Sequence, residues 1–341
     1  MLETARDILS GEGAWVVGGA IRDELLGKEV VDVDIACRDP KAAAEAYGER
    51  AGGAVFPLSG PHGAWRVAYR DGRTVDFTPL TDGVEGDLAG RDFTINAIAR
   101  PLAGGEEVDP FGGRQDLQRR VIRAVRESVF QDDPLRLLRA VRLEDQLGFT
   151  IATATEELIR RDAGLVTRPA GERILGELAQ LSGSAYSRLG ELGLLEPLGG
   201  SLDRLDRVAA GDARLLLAGV FGESLERLPI SNQLRRYARC VLSAELPADL
   251  SPRAIHRFRR TTEPWAADAA RLHGGADELL DAIEAARAID PAGPLLRGDE
   301  LGVPPGPEIG RLLALVEEER AAGTISTRDE ALELVHKETE Q

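Results

Sequence analysis

Across 341 residues the chain carries 42 basic and 58 acidic side chains, a formal net charge of −16 that, taken alone, argues against nucleic-acid binding. Hydrophobic residues, at 43%, suffice for sizeable cores and exclude a disordered chain; at roughly 150 residues per domain the length suggests two or three folded units. No apolar run approaches the ~18–20 residues that span a bilayer. In chain order, Ala14-Trp-Val-Val-Gly-Gly is a short apolar run ended by glycines and reads as a strand and turn. Ala20 to Leu26 follows as a helix with Gly27 as its stop. Val30 to Ala36 alternates and is rich in β-branched residues, which predicts a strand. Lys41 to Gly52 is Ala-rich and helical. Val67–Tyr69 and Thr74–Thr78 flank Arg70-Asp-Gly-Arg, a hairpin signal, and Phe93–Ala99 and Val108–Phe111 complete this mixed part. After Arg114, Leu- and Ala-rich amphipathic segments run to the end, broken near 167–170, 197–200, 247–252 and 290–294. The expected architecture is α+β: a small mixed β-sheet domain, then an all-helical remainder.

With only Cys37 and Cys240, a disulfide framework and a Cys-rich zinc site are both excluded. The N-terminus lacks the basic-then-apolar layout of a secretion signal, so a cytoplasmic, reducing address is expected. The net charge is unevenly spread. Residues 119–142 hold seven arginines (Arg119, Arg120, Arg123, Arg126, Arg136, Arg139 and Arg142) against Glu127, Asp132 and Asp133, a local charge of +4. Any anion the protein handles is expected there.

Four motifs carry candidate chemistry. In Asp32-Val-Asp34, residues two apart on a strand share a face, so two carboxylates project together about 6–7 Å apart at Cα. Such a pair suits Mg²⁺ with substrate phosphates, and is equally a solvated face of an edge strand. In Gly18-Gly19-Ala-Ile-Arg22-Asp23, glycines between strand and helix let backbone N–H groups approach a phosphate, with Arg22 one turn in. Neither a Walker A loop nor G-x-G-x-x-G is present, and an ordinary turn fits the same residues. Arg91-Asp-Phe-Thr-Ile-Asn96 places an arginine ahead of a half-buried strand or helix start, where a surface salt bridge is the plain alternative. Asp132-Asp133-Pro-Leu-Arg136-Leu-Leu-Arg139-Ala-Val-Arg142 begins as an N-cap followed by proline. Its arginines at three-residue steps form a basic stripe, either solvated or, with Asp133, able to read a base edge.

The order and spacing of G-G-x-x-R-D, D-V-D-I-A, R-D-F-T-I-N-A-I-A, D-P-F-G-G and D-D-P-L-R-L-L-R-A-V-R resemble the class II tRNA nucleotidyltransferases, a family that includes the bacterial poly(A) polymerases. Glu172-Arg-Ile-Leu-Gly-Glu-Leu is similar to the family's E-R-I-x-x-E-L segment, and the stretches from Leu296 and Gly323 resemble its C-terminal helical region. The resemblance implies a nucleotidyltransferase head (1–114), a helical neck with the base pocket (115–200), and a helical body and tail that bind tRNA (201–341). It implies that Asp32 and Asp34 are catalytic and hold Mg²⁺, and that Gly19, Arg22 and Arg91 grip the triphosphate or ribose. Asp133 and Arg136 would bond the base, supported by Arg139 and Arg142, and Asp76 sits where some members have a third carboxylate. The implied reaction joins CTP or ATP to a tRNA 3′ end without a template and releases pyrophosphate; no DNA or membrane partner is expected.

Three departures qualify the likeness. The family's Glu-Asp-x-x-Arg is Asp132-Asp133-Pro-Leu-Arg136 here, and Leu143 follows the arginines where an aromatic is common. The four histidines (62, 256, 273, 336) are each without a following Asp, so a His-Asp phosphohydrolase domain is not expected, and His62-Gly63 reads as structural. Full CCA-adding relatives have a flexible loop between the strand matching Thr74–Thr78 and R-D-F-T. Pro79–Gly90 is too short to contain it, which implies addition of the two cytidines only; full CCA addition with CTP and ATP is the alternative if loop length merely varies.

Overall fold

The computed structural model describes residues 1–9, 11, 13–59, 63–80, 82–291 and 293–340, so His62 lies outside the described residues. The chain divides into two compact units, Met1–Leu181 with Ser187–Leu198, and Ser182–Tyr186 with Gly199–Gln341. Among the described residues no helix is long and apolar enough to cross a membrane.

The first unit opens with α1 (Leu2–Leu9), β1 (Trp15–Val17), α2 (Gly19–Leu25), β2 (Asp32–Cys37) and α3 (Pro40–Ala51). Asp39 caps α3 by accepting from the Ala42 N–H at 3.0 Å, with Pro40 at the first helical position. Then come β3 (Ala54–Ser59), β4 (Ala64–Ala68), β5 (Thr74–Pro79), α4 (Gly83–Ala89), a 3₁₀ turn (Thr94–Asn96) and β6 (Ala99–Pro101). The sheet order is β3-β4-β5-β2-β1-β6, antiparallel except for the parallel β2–β5 pair. The Arg70–Arg73 turn forms as expected, closing β4 onto β5 with Ala68 opposite Thr74.

Alternation along β2 sorts its two faces. Val33 and Ile35, with Val75 and Phe77 of β5, are buried on the side covered by α3, where the Tyr47 and Phe77 rings lie 5.6 Å apart. Asp32 and Asp34 point the other way. Further along that second face Val17, Ala36 and Ala99 bury against Leu88 of α4. One end of the face is therefore dry and the other carries acid.

The expected α+β architecture holds, with three local differences. β3 was not anticipated; it is an edge strand with an irregular register between Pro57 and Ser59, where proline is tolerated because one side needs no ladder bond. Phe93–Ala99, left open as a strand or a helix start, is a buried segment with a 3₁₀ turn at Thr94–Asn96, and Ala99 begins β6. The stretch after Arg114 is not wholly helical. Between α5 (Gly113–Arg119), α6 (Val129–Asp132), α7 (Arg136–Leu147) and α8 (Thr153–Asp162) it holds a parallel two-strand ladder, β7 (Val121–Ile122) with β8 (Thr150–Ile151). Two-residue strands are too short to display a period.

The first unit's helical part continues with α9 (Gly171–Leu178), and α10 (Gly183–Glu191) contains the division between units. The second unit continues with α11 (Leu205–Val208), α12 (Ala213–Phe221), α13 (Asn232–Leu242), α14 (Pro252–Thr262), α15 (Ala266–Leu272), α16 (Asp277–Ala288), α17 (Pro307–Ala321) and α18 (Arg328–Thr339). Leu296, Leu301, Leu312, Val316, Ile325, Ala331 and Val335 form its C-terminal core. Helix ends fall at the breaks read from the sequence: α9 starts after 170, Pro252 opens α14, and α16 stops before 290.

Candidate active site

A cleft of about 530 Å³ in the first unit is lined by Gly18, Gly19, Arg22, Asp32, Asp34, Arg91, Asp133, Arg136, Arg139 and Arg142. Every expected site residue therefore meets in one place, although 123 positions separate the first from the last.

Asp32 and Asp34 form the floor. Asp32 accepts from the Thr74 hydroxyl at 2.7 Å, and Asp34 sits opposite Asp76 in the parallel register. Burial by the cleft walls pushes the Asp34 carboxyl above the ordinary range; Arg91 opposes this, and the charges of Asp76 and Asp32 reinforce it. Its side chain still meets solvent in the cleft. Crowded hard oxygens that resist sharing negative charge are the donor set a divalent cation relieves. Asp32 and Asp34 thus fit Mg²⁺. Asp76 is engaged elsewhere: Arg66 donates to both of its oxygens at 2.7 Å.

The glycine turn above the acids depends on Gly18 more than on Gly19. Gly18 has φ +76°, and a Cβ there would lie 3.0 Å from Asp34 Oδ2 and 3.1 Å from the Arg91 guanidinium. Gly19 opens α2. Arg22, one turn on, grips Asp23 with two bonds at 2.8 Å and donates to Asn96 Oδ1 at 2.7 Å. Arg91 donates to Asp87 of α4 at 2.8 Å and reaches within 4.0 Å of Asp34.

The far wall is α7. Its first full turn starts later than the N-cap reading placed it, at Arg136, with Asp133 Oδ1 accepting from the Leu135 N–H at 3.2 Å. The two acids diverge: Asp132 turns out to Arg126 and Ser128, while Asp133 faces the cleft and pairs with Arg173 of α9 at 2.9 Å. Arg136 donates to the Gly90 carbonyl at 2.7 Å, and burial pulls its guanidinium below the ordinary value. Arg139 bonds Asp92 at 2.9 Å. Arg142 meets Glu177 at 2.8 Å, a contact too poorly aligned for a hydrogen bond, and donates to Gln180 at 3.0 Å. Asp92 is only 6% exposed. Burial would raise its carboxyl, but Arg139, the Asn96 amide and the Phe93 N–H outweigh that and hold it below the usual range. The basic stretch 119–142 is thus divided: the stripe of Arg136, Arg139 and Arg142 enters the cleft, whereas Arg123 pairs with Asp116 and Arg126 with Asp132.

Residue-level reading missed Arg66, Asp92, Asn96 and Arg173, all of which line the cleft. Asp92, Asn96 and Arg173 lie inside motifs already recognised; Arg66 carries no local signal. Every cation among the described lining residues is an arginine: Arg22, Arg66, Arg91, Arg136, Arg139, Arg142 and Arg173.

Comparison with known proteins agrees with this geometry. Residues 14–64 and 64–123 match the family described as the poly A polymerase head domain. The chain is 33% identical to the A-adding tRNA nucleotidyltransferase of Deinococcus radiodurans, covering 96% of each protein. It is 44% identical to the CC-adding tRNA nucleotidyltransferase of Geobacter sulfurreducens, over 50% of this chain and 40% of that one. The CCA-adding enzyme of Bacillus stearothermophilus in complex with CTP superposes with a TM-score of 0.76 at 26% identity, covering 99% of this chain and 96% of the other. The chain is a nucleotidyltransferase and belongs to the class II tRNA nucleotidyltransferase family.

Proposed function

We propose that this protein adds the two cytidines of the tRNA 3′ end, using CTP and releasing pyrophosphate. The convergence of Asp32, Asp34, Asp133 and the arginines in one cleft supports the chemistry. Asp32 and Asp34 hold Mg²⁺, which when bound lowers the cost of ionising a tRNA hydroxyl and of gathering charge on the triphosphate. Arg22 and Arg91, with the backbone at Gly19, orient the triphosphate, so the primer oxygen meets the α-phosphorus in line with the departing pyrophosphate. A side-chain general base is not required. Asp133 and Arg136 present an acceptor and a donor to the base edge, and Arg139 and Arg142 hold α7 in place through Asp92 and Glu177. Residues 1–114 act as the head, 115–200 as the neck, and 201–341 as the body and tail that bind tRNA.

The restriction to cytidine is supported by the connection after β5. Most of Pro79–Gly90 is α4, tied down by Arg91 on Asp87 and by Arg136 on the Gly90 carbonyl. A short anchored helix has little reach with which to reshape the pocket for a second base. A second reading, addition of the terminal adenosine, is supported by a relative similar over 96% of both chains, the A-adding tRNA nucleotidyltransferase of Deinococcus radiodurans.

Two substrates separate these readings. A tRNA lacking its terminal CCA should accept two cytidines from CTP with Mg²⁺, and a tRNA ending in CC should remain unextended with ATP alone. Efficient addition of A to the second would refute the cytidine-only reading. Extension of both substrates would indicate full CCA addition.

A further inference from the structure

We infer that Arg66 is a positioning residue that keeps Asp76 out of the cation site, leaving Asp32 and Asp34 as its only carboxylate ligands. This rests on the reading that those two acids hold the divalent ion. The three acids stand on adjacent strands, and register sets Arg66 opposite Asp76 and Asp76 opposite Asp34. Both oxygens of Asp76 accept from Arg66, in the two-pronged geometry that fixes a carboxylate most firmly. For Asp76 to turn towards a cation beside Asp34, at least one of these bonds must break, leaving a part-buried guanidinium short of a partner. The negative charge of Asp76 still reaches Asp34, but the two bonds from Arg66 fix the direction in which its carboxylate faces. Thr74 holds Asp32 in place from the same strand as Asp76, so β5 positions one ligand while β4 restrains the would-be third. Arg66 thereby limits how tightly the ion is held. A third carboxylate would tighten the site and slow the exchange of ion and pyrophosphate between turnovers.

The test is binding of Mn²⁺ to the full-length protein without nucleotide, followed through the electron paramagnetic resonance signal of the free ion. Arg66→Gln releases Asp76 and removes a nearby positive charge, and should tighten binding by about tenfold. Arg66→Lys keeps the charge but loses the fork, and should tighten it by about threefold. The double variant Arg66→Gln/Asp76→Asn removes the pair together and should bind within about threefold of the parent, since no ligand is lost. Unchanged or weaker binding by both single variants would overturn the proposal, as would a tenfold or greater loss in the double variant. Asp34→Asn is the separate control: if it binds Mn²⁺ like the parent, the assignment of the cation to Asp32 and Asp34 fails, whatever the Arg66 variants do.

Discussion

Replacing Gly18 by alanine tests how tightly the turn above the acids is built. Its backbone, at φ +76° and ψ −139°, lies in a region L side chains rarely adopt, and holding alanine there costs on the order of 1–3 kcal/mol. The added methyl carbon would sit 3.0 Å from Asp34 Oδ2 and 3.1 Å from the Arg91 guanidinium, so both must move by a few tenths of an ångström. At about 2–4 °C per kcal/mol for a unit of this size, the midpoint of thermal unfolding followed by circular dichroism should fall by about 2–12 °C. Because misplacing a reacting group by ~1 Å can cost ~100-fold, the displacement of Asp34 and Arg91 should lower kcat/KM for CMP incorporation by roughly tenfold or more. The neighbouring position is the control. In Gly19→Ala the new carbon meets only the end of the flexible Arg22 side chain, at 3.3 Å, and alanine suits a helix better than glycine by about 0.5–1 kcal/mol. Its melting temperature should stay level or rise. Equal effects of the two substitutions on stability and kcat/KM would refute the geometric argument.

Asp34→Ala should abolish nucleotide transfer while leaving tRNA affinity in filter binding nearly unchanged; residual activity within tenfold of the parent would contradict its place in the cation site. On the proposed function, Arg136→Ala and Asp133→Ala should each blur the preference for CTP over UTP in competitive incorporation, since one would remove a donor and the other an acceptor at the base edge. Asp92 supplies a pH test. Its folded carboxyl titrates below the unfolded value of ~3.9, so its contribution to stability is present above ~3.9 and lost as pH falls through the lower folded value. Asp92→Asn should therefore melt lower at neutral pH and lose less on acidification below about pH 4, whereas parallel melting profiles would sink the account.

Local chemistry made part of this molecule legible. Val-Asp-Val-Asp-Ile announces both a strand and the side its acids take, because alternation is a property of the strand itself. The three-residue spacing of Arg136, Arg139 and Arg142 likewise belongs to a single helix, and all three reach the cleft. Arg66 and Arg173 escaped because their meaning lies in their partners: Asp76 is met only through strand register, and Asp133 lies forty positions away. The preference for Gly19 over Gly18 had the same cause. Two adjacent glycines are alike in sequence, and only the turn decides which has a positive φ. The short strands β7 and β8 were hidden because tertiary pairing, not local pattern, makes them strands.

The arginine-only cleft has a consequence for cellular control. A guanidinium keeps its charge throughout the physiological pH range and is not a substrate for acetyl transfer to lysine. The chain's three lysines, Lys28, Lys41 and Lys337, are all absent from the cleft lining. Swings in acetyl-donor supply, or in pH across the physiological range, would thus leave the positive charge of the cleft untouched. Reagents that do attack guanidinium groups, such as the dicarbonyl by-products of sugar metabolism, would find seven targets in one groove. Within the cleft, the chemical vulnerability is therefore glycation of arginine rather than acylation of lysine.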